Sequence, residues 1–199
     1  MSLNQYHLIS QWRVEASIEE CFDIIADARS RTRWWPAAYL DVLEIQPGDE
    51  NGVGKVVRAT TKGLLPAILR WHFSVTEATR PDRIRIRAWG DFEGEGIWTF
   101  VQDGQSALLT FEWRIKLNKS PLRQISPLLK PLVELNHRWA MARGEESLRL
   151  EIDRRHTREQ DLHLLPPPPQ PTQLPMKPIW IGLGVVAALV FVQRRRRRR

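Results

Sequence analysis

The sequence predicts an α+β fold. A curved antiparallel sheet of about seven strands surrounds a long C-terminal helix, with two short helices after the first strand and a C-terminal transmembrane helix beyond. Three observations carry this. Successive segments from Tyr39 to Leu117 alternate apolar and polar residues, the period of half-buried strands. After Ser120 the apolar period changes to that of an amphipathic helix. The chain then closes on an apolar run, IWIGLGVVAALVFV, followed by six arginines.

Taken in order, YHLISQWRV reads as the first strand. SIEECFDIIADA opens a helix, with Ser17 as N-cap, Glu20 three residues later, and Phe22, Ile25 and Ala26 on one face. Cys21, the sole cysteine, lies among apolar neighbours and is expected to be a packed core thiol. It can form neither an intrachain disulfide nor a cysteine metal cluster. SRTRWWP continues as a short second helix or turn that must stop near Pro36. The strands YLDVLEI, GKVVRATT, ILRWHFSVTEA, RIRIRAW, DFEGEGIWTFVQ and ALLTFEWRIKL follow, with turn signals such as PGDENG, RPD and QDGQS between them. In the final helix Leu128, Leu132, Leu135, Trp139 and Ala142 fall on one stripe, with Leu148 and Ile152 slightly rotated. Pro127 and Pro131 are expected in or before its first turn. Glu145 with Arg149, and Glu151 with Arg155, form i,i+4 pairs expected on its outer face.

Charge and composition set the domain plan. Of the formal net charge of +7, residues 194–199 supply six, so residues 1–193 carry +1. A body so nearly neutral lacks the basic face that phosphate binding needs, and no specific nucleic-acid partner is expected. MSLNQYHLIS shows no secretory signal. The plan is a ligand-binding domain over 1–157, a Pro-rich linker over 158–177, a hydrophobic membrane anchor over 178–193 and a poly-Arg tail over 194–199. Four consecutive prolines favour an extended polyproline II spacer. As a helix, Pro178 to Val192 would span about 22 Å against a hydrocarbon core of about 30 Å. Snorkelling by Lys177 and the arginines offsets that deficit. The expectation is a membrane protein with a cytoplasmic body. The arginines also belong in the cytoplasm, so the apolar run either dips into one leaflet or the body is exported without a recognised signal.

Residues 5–155 resemble the SRPBCC superfamily, the START-like helix-grip proteins of the polyketide cyclase/dehydrase branch. The resemblance rests on VEASIEECFDIIADARSRTRWWP, GDFEGEGIWTF and SPLLKPLVELNHRWAMARGEESL. It implies a cavity for a hydrophobic ligand and supplies no reaction.

Catalytic signatures are sparse. There is no G-x-S-x-G elbow, H-E-x-x-H motif, P-loop or dinucleotide fingerprint. His7, His72, His137, His156 and His163 lack ligand spacing, so neither a metal nor a cofactor is expected. Strand parity is more informative. Leu69, Trp71, Phe73 and Val75 share one face, as do Phe92, Gly94, Gly96, Trp98 and Phe100, and Leu109, Phe111, Trp113 and Ile115. These faces are expected to meet the helix. Gly94 and Gly96, inward beside Trp71, Trp98 and Trp113, would remove side-chain volume and open a lipophilic pocket. The competing reading is a bend in the sheet. The resemblance puts Trp34 and Trp35 near the cavity mouth, one of them as a rim or gate residue. Asn136, His137 and Trp139 are the polar and aromatic residues best placed to meet a ligand's head group, the competing reading of a buried asparagine being a structural hydrogen bonder.

The leading expectation is membrane-tethered binding or transfer of a hydrophobic small molecule: a lipid, isoprenoid or polyketide-like compound. One alternative is a cyclase- or dehydrase-type enzyme pairing His137 with Asp91 or Glu93 as acid and base. Another is a membrane-bound protein-interaction scaffold, which would show a filled core.

Overall fold

Turn chemistry and strand periodicity produce the expected element order in the structure, a computed structural model. It describes residues 5–65, 67–118 and 122–173, with side chains from residue 130 onward in the last helix. The elements are β1 (Gln5–Val14), α1 (Ile18–Ala26), α2 (Arg31–Trp34), β2 (Tyr39–Gln46), β3 (Val56–Lys62), β4 (Ile68–Thr79), β5 (Arg83–Gly90), β6 (Phe92–Asp103), β7 (Ser106–Leu117) and α3 (Leu122–His156). The strands form one antiparallel sheet in the order β1-β7-β6-β5-β4-β3-β2. Strands β2 to β7 are successive hairpins, while β1 crosses to pair with β7, Trp12 opposite Leu109. Bulges interrupt β2–β3 and β4–β5 and bend the sheet.

The two short helices fill the connection between the edge strands. Ser17 caps α1 as its spacing predicts, accepting from the Glu20 N–H at 3.2 Å. Cys21, Phe22, Ile24 and Ile25 are buried, and Phe22 packs on Phe100 with ring centroids 5.4 Å apart. Burial pushes the Cys21 thiol up to about 12, so it stays protonated and inert.

In three respects the helical part differs from the sequence expectation. First, α3 begins at Leu122, so Pro127 and Pro131 lie inside it and not at its start. Each lacks an N–H, and the four-residue spacing puts both missing hydrogen bonds on one side of the helix. Second, Leu148 and Ile152 are buried as expected, but before them the buried face is rotated from the stripe of Leu132, Leu135, Trp139 and Ala142 by about one residue. It carries Met141, Ser147, Leu148, Glu151 and Ile152, while Leu132 and Leu135 are 36% and 42% exposed, Ala142 is exposed, and Trp139 is half-buried at the flank. The sheet supplies the bulk, so the helix face is built from small and polar residues. At Gly144 a Cβ would lie against the Trp35 ring, 2.6 Å from its Cε2, and 2.7 Å from Trp12 Cζ2. Third, Glu151 is buried and not on the outer face, although its pairing with Arg155 at 3.0 Å is present.

The Pro-rich segment, expected as a linker and extended spacer, runs back against the body over its described part. A 3-10 helix over Glu159–Leu164 leads into extended chain, with Leu165 at φ −80° and ψ 138°. Arg154 donates to the Pro166 carbonyl. The Thr172 hydroxyl donates to the carbonyls of Gly63 at 3.1 Å and Leu64 at 3.3 Å, and Lys62 Nζ donates to the Thr172 carbonyl. The segment is a strap that returns to the β3–β4 loop. No helix among the described residues is long and apolar enough to cross a membrane. The expected anchor and poly-Arg tail lie outside those residues.

Candidate functional site: a cavity between sheet and helix

The curved sheet and α3 enclose a cavity of about 420 Å3. Its sheet wall is aromatic because inward-facing positions of β4, β6 and β7 carry Trp71, Phe92, Trp98, Phe111 and Trp113. These rings pack on one another, with centroids 4.9 Å apart for Trp71 and Phe92, and 4.5 Å for Trp98 and Phe111. Arg31, Trp35 and Tyr39 close one end, and Val133, Asn136, His137, Ala140 and Met141 of α3 form the opposite wall. Leu132 of α3 is the exposed member of the described lining, and the half-buried Lys62, Leu65 and Ala67 come from the end of β3 and the β3–β4 connection, which Asn136 of α3 holds through the Leu65 N–H. Together they form the mouth.

The polar groups are few and mostly engaged. Asn136 Oδ1 accepts from the Leu65 N–H at 2.9 Å and so pins the mouth loop to α3. Gly63 permits this approach, since a Cβ there would lie 2.6 Å from the Asn136 side-chain carbon. Thr61 Oγ1 accepts from the Trp71 indole N–H at 3.0 Å. His137 Nε2 lies 3.0 Å from Ser10 Oγ, and burial pushes its pKa down to about 4, leaving the ring neutral at neutral pH.

The structure brings Trp35, Trp71, Trp98, Phe111, Trp113, Asn136 and His137 together on the cavity wall. It does not bring Trp34, Phe73, Gly94, Gly96 or Trp139 there. Trp34 is fully buried and stacked on Trp35 at 5.5 Å, so neither tryptophan is a rim residue. Phe73 lies under the Arg31 guanidinium at 5.2 Å. The glycines do not open the pocket. A Cβ at Gly96 would lie 2.6 Å from the Trp113 ring, which already fills that space. At Gly94 it would meet the β7 backbone, 2.8 Å from Ile115 Cα. Both glycines let the sheet close tightly. Asp91 and Glu93 do not reach His137. Asp91 Oδ2 accepts from the Arg70 N–H at 2.9 Å, and Glu93 faces solvent with Lys116 at 3.2 Å.

Sequence reasoning missed Arg31, Tyr39 and Lys62. A signal for Arg31 existed: it stands four residues before Trp35 on a helical turn, which puts both on one face.

Residues 9–151 match the polyketide cyclase/dehydrase and lipid transport family, and the chain belongs to that family. Its sheet and helix are those of the START-like helix-grip superfamily. Nothing among curated proteins matches its sequence. It is similar in fold to a protein of Thermus thermophilus at TM-score 0.59 and 16% identity, covering 72% of this chain and 97% of that one. A START superfamily protein of Mycobacterium smegmatis gives 0.57 and 16%, over 74% and 97% of the two chains. The Zhui aromatase/cyclase of Streptomyces gives 0.57 and 17%, over 77% and 96%.

Proposed function

We propose that this protein binds and hands on a hydrophobic small molecule, a lipid, isoprenoid or polyketide-like compound, while residues 178–193 hold it at a membrane. One observation carries the reading: a cavity of about 420 Å3 walled by the sheet's aromatic rings. Apolar burial there contributes about 25 cal/mol per Å2 of ligand surface and needs no cofactor. The strap supports the tether, because Thr172 is fastened to Gly63 and Leu64 at the mouth. An anchor following that point sets the mouth against the bilayer, with the body on the cytoplasmic side. Ligand then passes between lipid and cavity without crossing water.

A cyclase- or dehydrase-type reaction is the second reading, favoured by His137 on the cavity wall. Against it, His137 meets Ser10 and no carboxylate among the described residues, so the acid–base pair lacks one member there.

The test compares the full chain with a deletion of residues 174–199. The full chain is expected to stay with membranes through a carbonate wash, and the deletion variant to be soluble. Mass spectrometry of organic extracts from both should find an apolar compound in near one-to-one ratio. Full chain in the supernatant removes the tether. An empty extract together with no uptake of a neutral apolar probe removes the binding function. A precursor in His137→Ala and its altered product in wild type would transfer the argument to the enzyme.

A further inference from the structure

Arg31 is 7% exposed and forms part of the cavity wall. Its Nη1 donates to the Tyr39 hydroxyl at 3.2 Å and its Nη2 to the Ile25 carbonyl at 2.9 Å, both neutral acceptors, while Nε has no partner. The Tyr39 and Phe73 rings each lie 5.2 Å from the guanidinium carbon. No carboxylate among the described residues lies within ion-pair distance of it. Two residues on, Arg33 takes both oxygens of Glu151 at 2.6 Å. One short helix therefore carries a neutralised guanidinium and a buried one with no counter-charge, an arrangement that is strongly disfavoured unless something completes it.

The remainder of the cavity does not supply the missing charge. Among the described residues its lining contains no Asp or Glu, and the only other charged member is Lys62, a cation. Lys62 stands at the mouth with its ammonium on the Thr172 carbonyl. His137 is neutral there because burial holds its pKa near 4.

We propose that the ligand is an apolar molecule carrying one carboxylate, and that Arg31 receives that carboxylate. This rests on the hydrophobic-ligand reading above and names the ligand's chemical class. Arg31 uses two of its five N–H donors on neutral acceptors, and the planar fork matches a carboxylate's two oxygens. The aromatic wall then holds the apolar body.

The experiment uses the full chain in phosphatidylcholine nanodiscs, with N-phenyl-1-naphthylamine as a neutral fluorescent probe. Lauric acid, its methyl ester and dodecanol compete for the probe, and the acid-to-ester affinity ratio is compared between variants, so that partition into lipid cancels. Wild type is expected to favour the acid roughly ten- to a hundredfold beyond Arg31→Met, the range of a charge-assisted hydrogen bond. Lys62→Met is expected to keep the preference, and Arg31→Lys to keep part of it. Equal ratios in wild type and Arg31→Met overturn the proposal, as does loss of the preference in Lys62→Met alone. Should Arg31→Met fail to fold, Arg31→Lys decides: a ratio unchanged from wild type, with the same preference lost in Lys62→Met, overturns it. Probe uptake with no acid preference in wild type defeats this inference only. No probe uptake at all defeats the binding function itself.

Discussion

Arg33 and Glu151 form a bidentate ion pair, each guanidinium nitrogen 2.6 Å from a carboxylate oxygen, and it fastens α2 to α3. Glu151 is 1% exposed, and Arg155 adds a third hydrogen bond at 3.0 Å from the next helical turn. Trp35 follows α2 directly, so this clamp also fixes one wall of the cavity.

Glu151→Gln leaves two guanidinium groups facing a neutral amide. Removing one partner of a fully buried pair costs about 3–5 kcal/mol. Here Arg33 and Arg155 are 57% and 38% exposed and regain water, so the expected loss is about 2 kcal/mol. Burial alone would raise the Glu151 pKa, but the hydrogen bonds from Arg33 and Arg155 outweigh it and hold the group below its ordinary 4.5. A depressed carboxyl stabilises the fold above its unfolded pKa, and that stability is lost as pH falls through the folded value. Urea titrations should show wild type losing stability below pH 4.5 more steeply than Glu151→Gln. Parallel curves would mean the pair is not linked to folding.

His137 gives a different window. Its pKa falls from 6.5 to about 4 because burial penalises the imidazolium. The unfolded chain therefore binds a proton that the folded one refuses, and stability drops as pH falls from 6.5 to 4. The shift corresponds to about 3 kcal/mol. His137→Phe keeps a ring facing Phe111, now 6.5 Å from the imidazole, but cannot titrate. Its stability is expected to be flat between pH 6.5 and 5, where wild type already declines. A wild-type curve that is flat there, with other histidines unchanged, would show that the buried imidazole accepts its proton freely.

The sheet was legible in the sequence because alternation with period two needs only a polar and an apolar side. Trp71, Phe73, Phe111 and Trp113 all face inward as their parity requires. The helix was not, because its buried face is coded by fit rather than by hydrophobicity. Gly144, Ser147 and Glu151 are buried, whereas Leu132 and Leu135 keep solvent contact beside the mouth. The cavity residues divide likewise. Parity located the aromatic wall, but whether Gly96 opens space or admits the Trp113 ring depends on a cross-strand register that no local pattern encodes. Arg31 was passed over despite its helical spacing to Trp35, because a buried unpaired cation contradicts the usual rule for charges.

The rotated helix face makes its own prediction. Leu148 is fully buried and Trp139 half-buried at the flank. Leu148→Asp puts an unpaired charge in the core and is expected to unfold the protein. Trp139→Asp can turn its carboxylate to solvent and should cost below about 2 kcal/mol. Chemical denaturation of both variants checks the order, and the reverse order would restore Trp139 to the centre of the buried face.

Gly144 tests how tightly the helix is set against the cavity wall. Replacing an interior helical glycine by alanine ordinarily gains about 1 kcal/mol from backbone propensity. At this position the added Cβ would lie 2.6 Å from Trp35 Cε2 and 2.7 Å from Trp12 Cζ2. Those rings are 5% and 2% exposed and already meet edge-on, with centroids 5.4 Å apart, so outward movement is closed to them. Overpacking of a closed core costs about 1–3 kcal/mol, which exceeds the propensity gain. Space remains for Trp35 only on its cavity side, so relief of the clash consumes cavity volume. Gly144→Ala is therefore expected to lose about 1 kcal/mol in urea titration and to bind a neutral apolar probe several-fold more weakly than wild type. A variant more stable than wild type with unchanged probe affinity would show that the tryptophan pair yields elsewhere, and that Trp35 is not a fixed wall of the cavity.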